Sequence, residues 1–255
     1  METNNITELY GLSLERTGDR AIVQLTRPQV HNAIDSDLVR SLHGVCELLE
    51  ADPVPLIITG GTSAFVAGAD IGQLRDRRTD DALAGINSAL MVRIAKLPMP
   101  TIAAIGGPAL GGGAELAYAC DFRIATPHAT FGNPESRLGI LAAAGATWRL
   151  RELVGEVMAK EMLLAGRVLN ADEARAARLA NEIVDPTELL ATAHHWVDRI
   201  SKAAPWATRI TKLALRMPAD AHPTFDNVAQ AMLFESDEKF ARMDKFLTRK
   251  NAQPQ

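Results

Sequence analysis

Three short stretches of the chain hold residues that could do chemistry together. The first, Gly106-Gly107-Pro108-Ala109-Leu110-Gly111-Gly112-Gly113-Ala114-Glu115, leads from an apolar run into an alanine-rich, helix-prone segment ending at Cys120. Backbone N–H groups at a helix start have no partner inside the helix and sit at the positive end of its dipole, so such a loop can receive an anion or an oxyanion. Glycine lets a ligand approach them closely. The same cluster also reads as a tight turn and nothing more. The second stretch is Phe65-Val66-Ala67-Gly68-Ala69-Asp70-Ile71, where Asp70 suits a helix N-cap. Two such loops could aim two N–H groups at one oxygen. The third, Thr130-Phe131-Gly132-Asn133-Pro134-Glu135, puts a carboxylate after proline in apolar surroundings. A glutamate there is paired, turned to the surface, or shifted in pKa for proton transfer.

Other chemistries fit less well. A phosphate-binding Walker loop needs Lys and Ser or Thr after Gly111, where Gly112 and Gly113 stand, and a dinucleotide fingerprint needs glycine at Leu116. The formal charge of −4 argues against a nucleic-acid surface, which needs an excess of Lys and Arg. Cys46 and Cys120 form no C-x-x-C pair, so neither a disulfide framework nor a zinc site is expected. His31, His43, His128, His194, His195 and His222 show no metal-ligand spacing, and no metal is expected. Met1 to Tyr10 has neither a basic nor an apolar leader segment, and no apolar run reaches the roughly 20 residues of a membrane span. A cytoplasmic protein with no membrane partner is expected.

The elements that must position these stretches follow from periodicity. Strands are predicted at Ala21 to Thr26, Leu56 to Thr59, Thr101 to Ile105, Phe122 to Ala125 and Glu182 to Val184, alternating with helices as in a layered α/β core. Leu38, Leu42, Val45 and Leu49 fall at helical spacing behind Asp35-Ser36-Asp37, a capping cluster. Leu83, Ile86, Leu90, Ile94 and Leu97 predict a second helix, stopped by Pro98 and Pro100. Beyond about residue 186 strand signals give way to helical spacing broken by Pro205, Pro218 and Pro223. Its aromatic residues, from Trp196 to Phe246, are expected to pack on the core or on another subunit.

Together the three stretches resemble the crotonase (enoyl-CoA hydratase/isomerase) superfamily, which carries F-x-x-G-A-D, then G-G-G-x-E, then P-E some twenty residues later. Here these are Phe65 to Asp70, Gly111 to Glu115, and Pro134-Glu135, with 135 − 115 = 20. Leu25-Thr26-Arg27-Pro28, Asn32-Ala33 and the helical tail extend the likeness over nearly the whole length. The resemblance implies an α/β fold, a crotonase-type spiral of repeated ββα units over 1–190. It further implies a C-terminal helical region, 191–255, used to form a homotrimer or a hexamer built as a dimer of trimers.

The resemblance also implies residue roles. Ala69 and Gly112 would supply the two N–H groups of an oxyanion hole around a thioester carbonyl. Ala67, Asp70, Ile71 and Gly72 would lie along the coenzyme A path, with Gln29 and Val30 near its adenine and pantetheine parts. Glu115 would activate water and Glu135 would protonate C2. The implied reaction is hydration of trans-2-enoyl-CoA to 3-hydroxyacyl-CoA, in fatty-acid or related acyl-CoA catabolism. No cofactor is implied, because coenzyme A is part of the substrate. An enoyl-CoA isomerase or another enolate-forming member is the alternative. Isomerases often keep one of the two carboxylates, so the presence of both favours hydration. RNA-binding members of the superfamily are disfavoured by the acidic balance and the intact pair.

Two places depart from the family pattern. Ala142-Ala143 stands where hydratases show Pro-Gly, and Gly145-Ala146-Thr147-Trp148 where they show Gly-Gly-Thr-Gln. In hydratases the glycine N–H after that proline helps hold the attacking water. Ala143 keeps the N–H but adds a methyl, and Trp148 is expected to change the wall behind it. Gly72 replaces a familiar lysine, so coenzyme A phosphates need other cations, for which Arg27, Lys245, Arg249 and Lys250 are candidates.

Overall fold

The β-branched runs become the middle of a seven-stranded sheet in the computed structural model, which describes residues 5–251. β1 (Asn5–Leu9), β2 (Leu12–Arg16) and β3 (Ala21–Leu25) form an antiparallel meander. β3 then pairs in parallel with β4 (Leu56–Thr59), and β4 with β5 (Thr101–Ile105). β6 (Ala109–Leu110) leaves this sheet; β7 (Phe122–Ala125) rejoins it beside β5. β8 (Thr130–Gly132) and β9 (Leu169–Asn170) complete a small second sheet in the order β6-β8-β9, and β10 (Glu182–Ile183) closes the large one next to β7. Every residue of β4 and β5 is buried, as parallel strands covered on both faces require. The four predicted inner strands fall within a residue of their expected ends. β1, β2, β6, β8 and β9 were not predicted, being short or polar.

α1 (Ser36–Ala51) starts as its capping cluster demands: the Asp35 carboxylate accepts from Leu38 N at 2.8 Å. Its buried face, Leu38, Leu42, Val45, Cys46 and Leu49, joins a hydrophobic core cluster with the sheet residues, each leucine contributing about 1.5–3 kcal/mol. The second predicted helix is divided. α2 (Ile71–Asp76) and α3 (Thr79–Ala84) precede α4 (Ile86–Lys96), and Gly85, left-handed at φ 62°, separates α3 from α4. Leu83 therefore leaves the expected stripe and is exposed, while Leu90, Met91 and Ile94 stay buried. α5 (Gly112–Ala119) is buried along its whole length. α6 (Arg151–Leu164) follows a π-helical turn at Ala146–Leu150; α7 (Ala171–Ala176) and α8 (Leu189–Ser201) come next.

The chain divides into two compact units after Val197. The second unit contains α9 (Pro205–Ala214), α10 (Thr224–Phe234) and α11 (Asp237–Asn251). α9 begins with Pro205 at its first turn, where the missing N–H is no loss. Within this unit the Arg242 guanidinium donates to the carbonyls of Lys202 and Ala203 at 2.8 and 3.2 Å. Among the described residues no helix is long and apolar enough to cross a membrane.

Candidate active site

Strand register explains how glutamates twenty residues apart meet. β6 and β8 run parallel with Leu110 opposite Gly132, so Gly111 and Asn133 leave neighbouring strand ends. The Gly111 N–H donates to the Gly132 carbonyl at 2.8 Å, locking the two exits together. From Gly111 the chain enters α5, whose first turn carries Glu115; from Asn133 it enters a 3-10 turn, Pro134–Leu138, carrying Glu135. Gly111 holds φ 52° and ψ −124°, a conformation open to glycine. Gly113 is required by contact, since a Cβ there would stand 2.0 Å from the Val66 carbonyl oxygen.

The loop after β4 is fixed by one buried amide. Asn32, fully buried, donates from Nδ2 to the carbonyls of Gly60, Ala64 and Phe65 and accepts from Arg27 N at 2.9 Å. Beyond it, Ile34 bridges Ala69: Ile34 N donates to Gly68 O and Asp70 N to Ile34 O, both at 2.9 Å. That bridge consumes the groups on either side of Ala69 and turns Ala69 N–H the other way. Gly112 begins α5, where an N–H has no helical partner. Among the described residues neither N–H donates to a backbone carbonyl. A Cβ on Gly112 would lie 3.8 Å from Ala69 N, so the two loops stand side by side.

Both N–H residues and both glutamates line one cavity of about 600 Å³. Glu115 is 4% exposed and its Oε1 accepts from Ala144 N at 2.7 Å and Ala146 N at 3.1 Å. Burial pushes its carboxyl up to about 7; the two N–H bonds oppose that shift, and the charge of Glu135 adds to it. Glu135 is 9% exposed, and burial raises its pKa as well. Its Oε1 accepts from Asn133 Nδ2 at 3.3 Å, and Asn133 Oδ1 in turn accepts from the buried Tyr118 hydroxyl at 3.1 Å. Its Oε2 is buried with no hydrogen-bond partner among the described residues. The C-terminal end of α5 is held by the buried Arg123 guanidinium, which donates to the Ala117 and Cys120 carbonyls.

The remaining predicted site residues are distributed unevenly. Ala67, Ile71 and Ala143 line the cavity with Ala69, Gly112, Glu115 and Glu135. Asp70 does not: its carboxylate caps α2 by accepting from Gln73 N at 2.8 Å. Gly72 is exposed on α2, and Gln29 and Val30 are exposed on a turn at Pro28–Val30, all outside the cavity wall. Arg27 offers no free guanidinium, because it pairs with Asp35 at 2.7 Å and donates to Ala33 O. Lys245 is exposed on α11, and the side chains of Arg249 and Lys250 lie outside the described residues.

The expected effect of Trp148 is corrected. The residue is 41% exposed and is not part of the cavity wall; the Arg149 guanidinium lies over its ring at 5.0 Å from the centroid. Arg149 also donates to the carbonyls of Ala144 at 3.2 Å and Met91 at 3.4 Å. It thereby holds the loop that feeds two N–H groups to Glu115. Sequence reasoning missed this residue, together with Asn133, Tyr118, Ala144 and Ala146. Arg77, Arg78, Asn87 and Leu138 also line the cavity. Among the described residues, no group of three or more His, Cys, Asp or Glu could hold a metal ion.

Two unpartnered N–H groups and two buried carboxylates lining one cavity are the parts of an enzyme that stabilises an enolate-like oxyanion and moves protons next to it. The comparisons agree with that class. The family model for enoyl-CoA hydratase/isomerase matches residues 16–252. A short-chain-enoyl-CoA hydratase of Clostridium acetobutylicum is 35% identical, over 95% of this chain and 97% of its own. A crotonyl-CoA hydratase of Syntrophomonas wolfei is 36% identical, over 94% and 95%. Among solved structures, an enoyl-CoA hydratase subunit from Geobacillus kaustophilus superposes with TM-score 0.89 at 30% identity, covering 98% of both chains. The chain belongs to the enoyl-CoA hydratase/isomerase family and has the crotonase fold.

Proposed function

We propose that this protein hydrates trans-2-enoyl thioesters of coenzyme A to 3-hydroxyacyl-CoA, in fatty-acid or related acyl-CoA breakdown. The observation that carries the reading is the buried pair Glu115 and Glu135 in one cavity with the unpartnered N–H groups of Ala69 and Gly112. The thioester carbonyl accepts from Ala69 N–H and Gly112 N–H, which stabilise the negative charge that builds on oxygen as water adds to C3. One such donor is worth about 3 to 4 kcal/mol of transition-state stabilisation. Glu115, its carboxyl near 7, is suited to a base that takes a proton from water at neutral pH. Two N–H groups serve its anionic form. Glu135, raised by burial and with Oε2 lacking a donor, delivers the proton to C2.

The same reading extends to assembly and compartment. Exposed Phe240, Met243, Phe246 and Leu247 on α11 support a homotrimer or a dimer of trimers, checked by size-exclusion chromatography. Two free, buried thiols, Cys46 and Cys120, fit a cytoplasmic location, and no cofactor is required beyond the coenzyme A that the substrate brings. Purified protein mixed with crotonyl-CoA should bleach the absorbance of the conjugated thioester. No loss with short, medium or long enoyl chains would sink the proposal.

A further inference from the structure

The cavity wall away from the carboxylates carries charge that water addition does not use. α2 follows directly on Ala69 and Asp70, and its positions Ile71 and Leu74, then Arg77 and Arg78 just beyond it, all line the cavity. Ile71 and Leu74, three residues apart, share one face of α2, and Arg77 and Arg78 follow its C-terminal end on extended backbone. The wall is apolar along α2 and cationic just past its C-terminal end, after about 8 Å of helix from Ile71 at 1.5 Å per residue. Ile86, Leu138, Ile140 and Leu141 complete the apolar passage between them.

The two arginines lack acidic partners although Asp76, Asp80 and Asp81 are close in sequence. Half-buried Arg77 donates to Asn87 Oδ1 at a long 3.4 Å, and Asn87 itself lines the cavity. Arg78 donates from Nη1 to the carbonyls of Arg75 and Arg77, each at 3.1 Å. Asp81, also on the wall, spends its carboxylate on Arg78 N at 2.9 Å as the cap of α3. Neither guanidinium has a carboxylate within ion-pair distance among the described residues. Two unpaired planar cations closing an apolar passage match a planar anion, which a guanidinium binds through two parallel hydrogen bonds.

We propose that Arg77 and Arg78 receive a carboxylate at the far end of the acyl chain, so that the preferred substrate is the coenzyme A monothioester of a short trans-2-enedioic acid. The inference rests on the hydration reading and names the substrate of that same site. The phosphates of coenzyme A are the other source of an anion, and inhibition by free coenzyme A distinguishes the two.

The experiment compares kcat/KM for trans-2-hexenoyl-CoA and for the monothioester of trans-2-hexenedioic acid, with free coenzyme A as a competitive inhibitor. The unsubstituted protein should prefer the dicarboxylic substrate by about tenfold or more. R77M/R78M should collapse that ratio toward one, R77K/R78K should retain a substantial part of it, and the inhibition constant of free coenzyme A should move less than about twofold in both. A ratio near one in the unsubstituted protein would overturn the proposal. So would an equal fall for both substrates accompanied by weaker inhibition by coenzyme A, which would assign the arginines to its phosphates. Turnover of hexenoyl-CoA without the preference defeats this inference alone, whereas no turnover of any thioester defeats the hydration reading with it.

Discussion

Replacing Glu115 by glutamine should stabilise the protein while disabling it, and the gain should depend on pH in a defined direction. The folded carboxyl stands at about 7 against an ordinary 4.5, so the folded state holds its proton over a range where the unfolded chain has released it. A folded-state value raised in this way means that the associated stability is complete below about 4.5 and is lost as the pH rises through about 7. With about 1.4 kcal/mol for each tenfold change, the ionised carboxylate costs the native protein about 3 kcal/mol at pH 8 and under about 1 kcal/mol at pH 5. Glutamine is never ionised and still offers a carbonyl oxygen to Ala144 N–H and Ala146 N–H. The cost should vanish in the variant.

Thermal melting of both proteins at pH 5 and pH 8 measures this, since titrations not coupled to Glu115 cancel in the difference. The advantage of Glu115→Gln should widen by roughly 5–10 °C between the two pH values, taking 2–4 °C per kcal/mol for a chain of this size. Hydration of crotonyl-CoA by the same variant should fall by about 10² or more. A melting difference that is flat with pH would refute the reasoning. It would mean that the N–H groups of Ala144 and Ala146 outweigh burial and keep Glu115 ionised throughout.

Glu135→Gln should retain the fold and lower kcat by roughly 10²–10⁴, read from the same absorbance assay; near-normal kcat would remove Glu135 from the proton path. The pH profile of kcat/KM should show activity rising as the pH passes through about 7, because the proposed base, Glu115, accepts a proton only when ionised. Arg149→Met should move that limb to higher pH, since it removes a nearby cation and frees the Ala144 carbonyl, and Arg149→Lys should restore part of the shift. An unmoved limb would leave Arg149 with a structural role only. Gly113→Ala should cost about 3 kcal/mol or more, seen as a lower Tm, because the new Cβ would stand 2.0 Å from the Val66 oxygen.

Much of the site was legible because its determinants are local. Gly112 and Glu115 open α5, Glu135 sits in the 3-10 turn after β8 and Ala69 in the loop before α2, each inside a short stretch whose glycines, alanines or proline mark it in the sequence. Asp70 shows the limit of that reasoning: its stretch suggested an N-cap and the family resemblance a place along the ligand path, and the carboxylate bonds Gln73 N and lies off the cavity wall. The helix expected from Leu83 to Leu97 failed at Gly85 for a similar reason. Apolar spacing continued across a residue whose left-handed backbone ends one helix and begins another. β6, β8 and β9, two or three residues each, are too short to show alternation, yet their register brings the glutamates together.

What the sequence could not disclose is how Glu115 is kept usable once buried. A carboxylate this enclosed would be protonated and inert as a base at neutral pH if burial acted alone, and its partners come from Ala144 and Ala146, 29 and 31 residues along the chain. Their N–H groups point inward because Arg149 ties the Ala144 carbonyl and lies over the Trp148 ring, a pairing that no local pattern announces. The replacement of the family's Gly-Gly-Thr-Gln by Gly145-Ala146-Thr147-Trp148 therefore acts away from the reacting atoms. The Trp148 ring lies against a guanidinium that bonds the loop, and the loop's two N–H groups, with the charge of Arg149, oppose the rise that burial imposes on Glu115. On this reasoning Trp148→Gln should alter activity through the pH at which Glu115 ionises, with KM for crotonyl-CoA less affected than the position of the limb. A KM change with an unmoved limb would return Trp148 to the role of substrate contact.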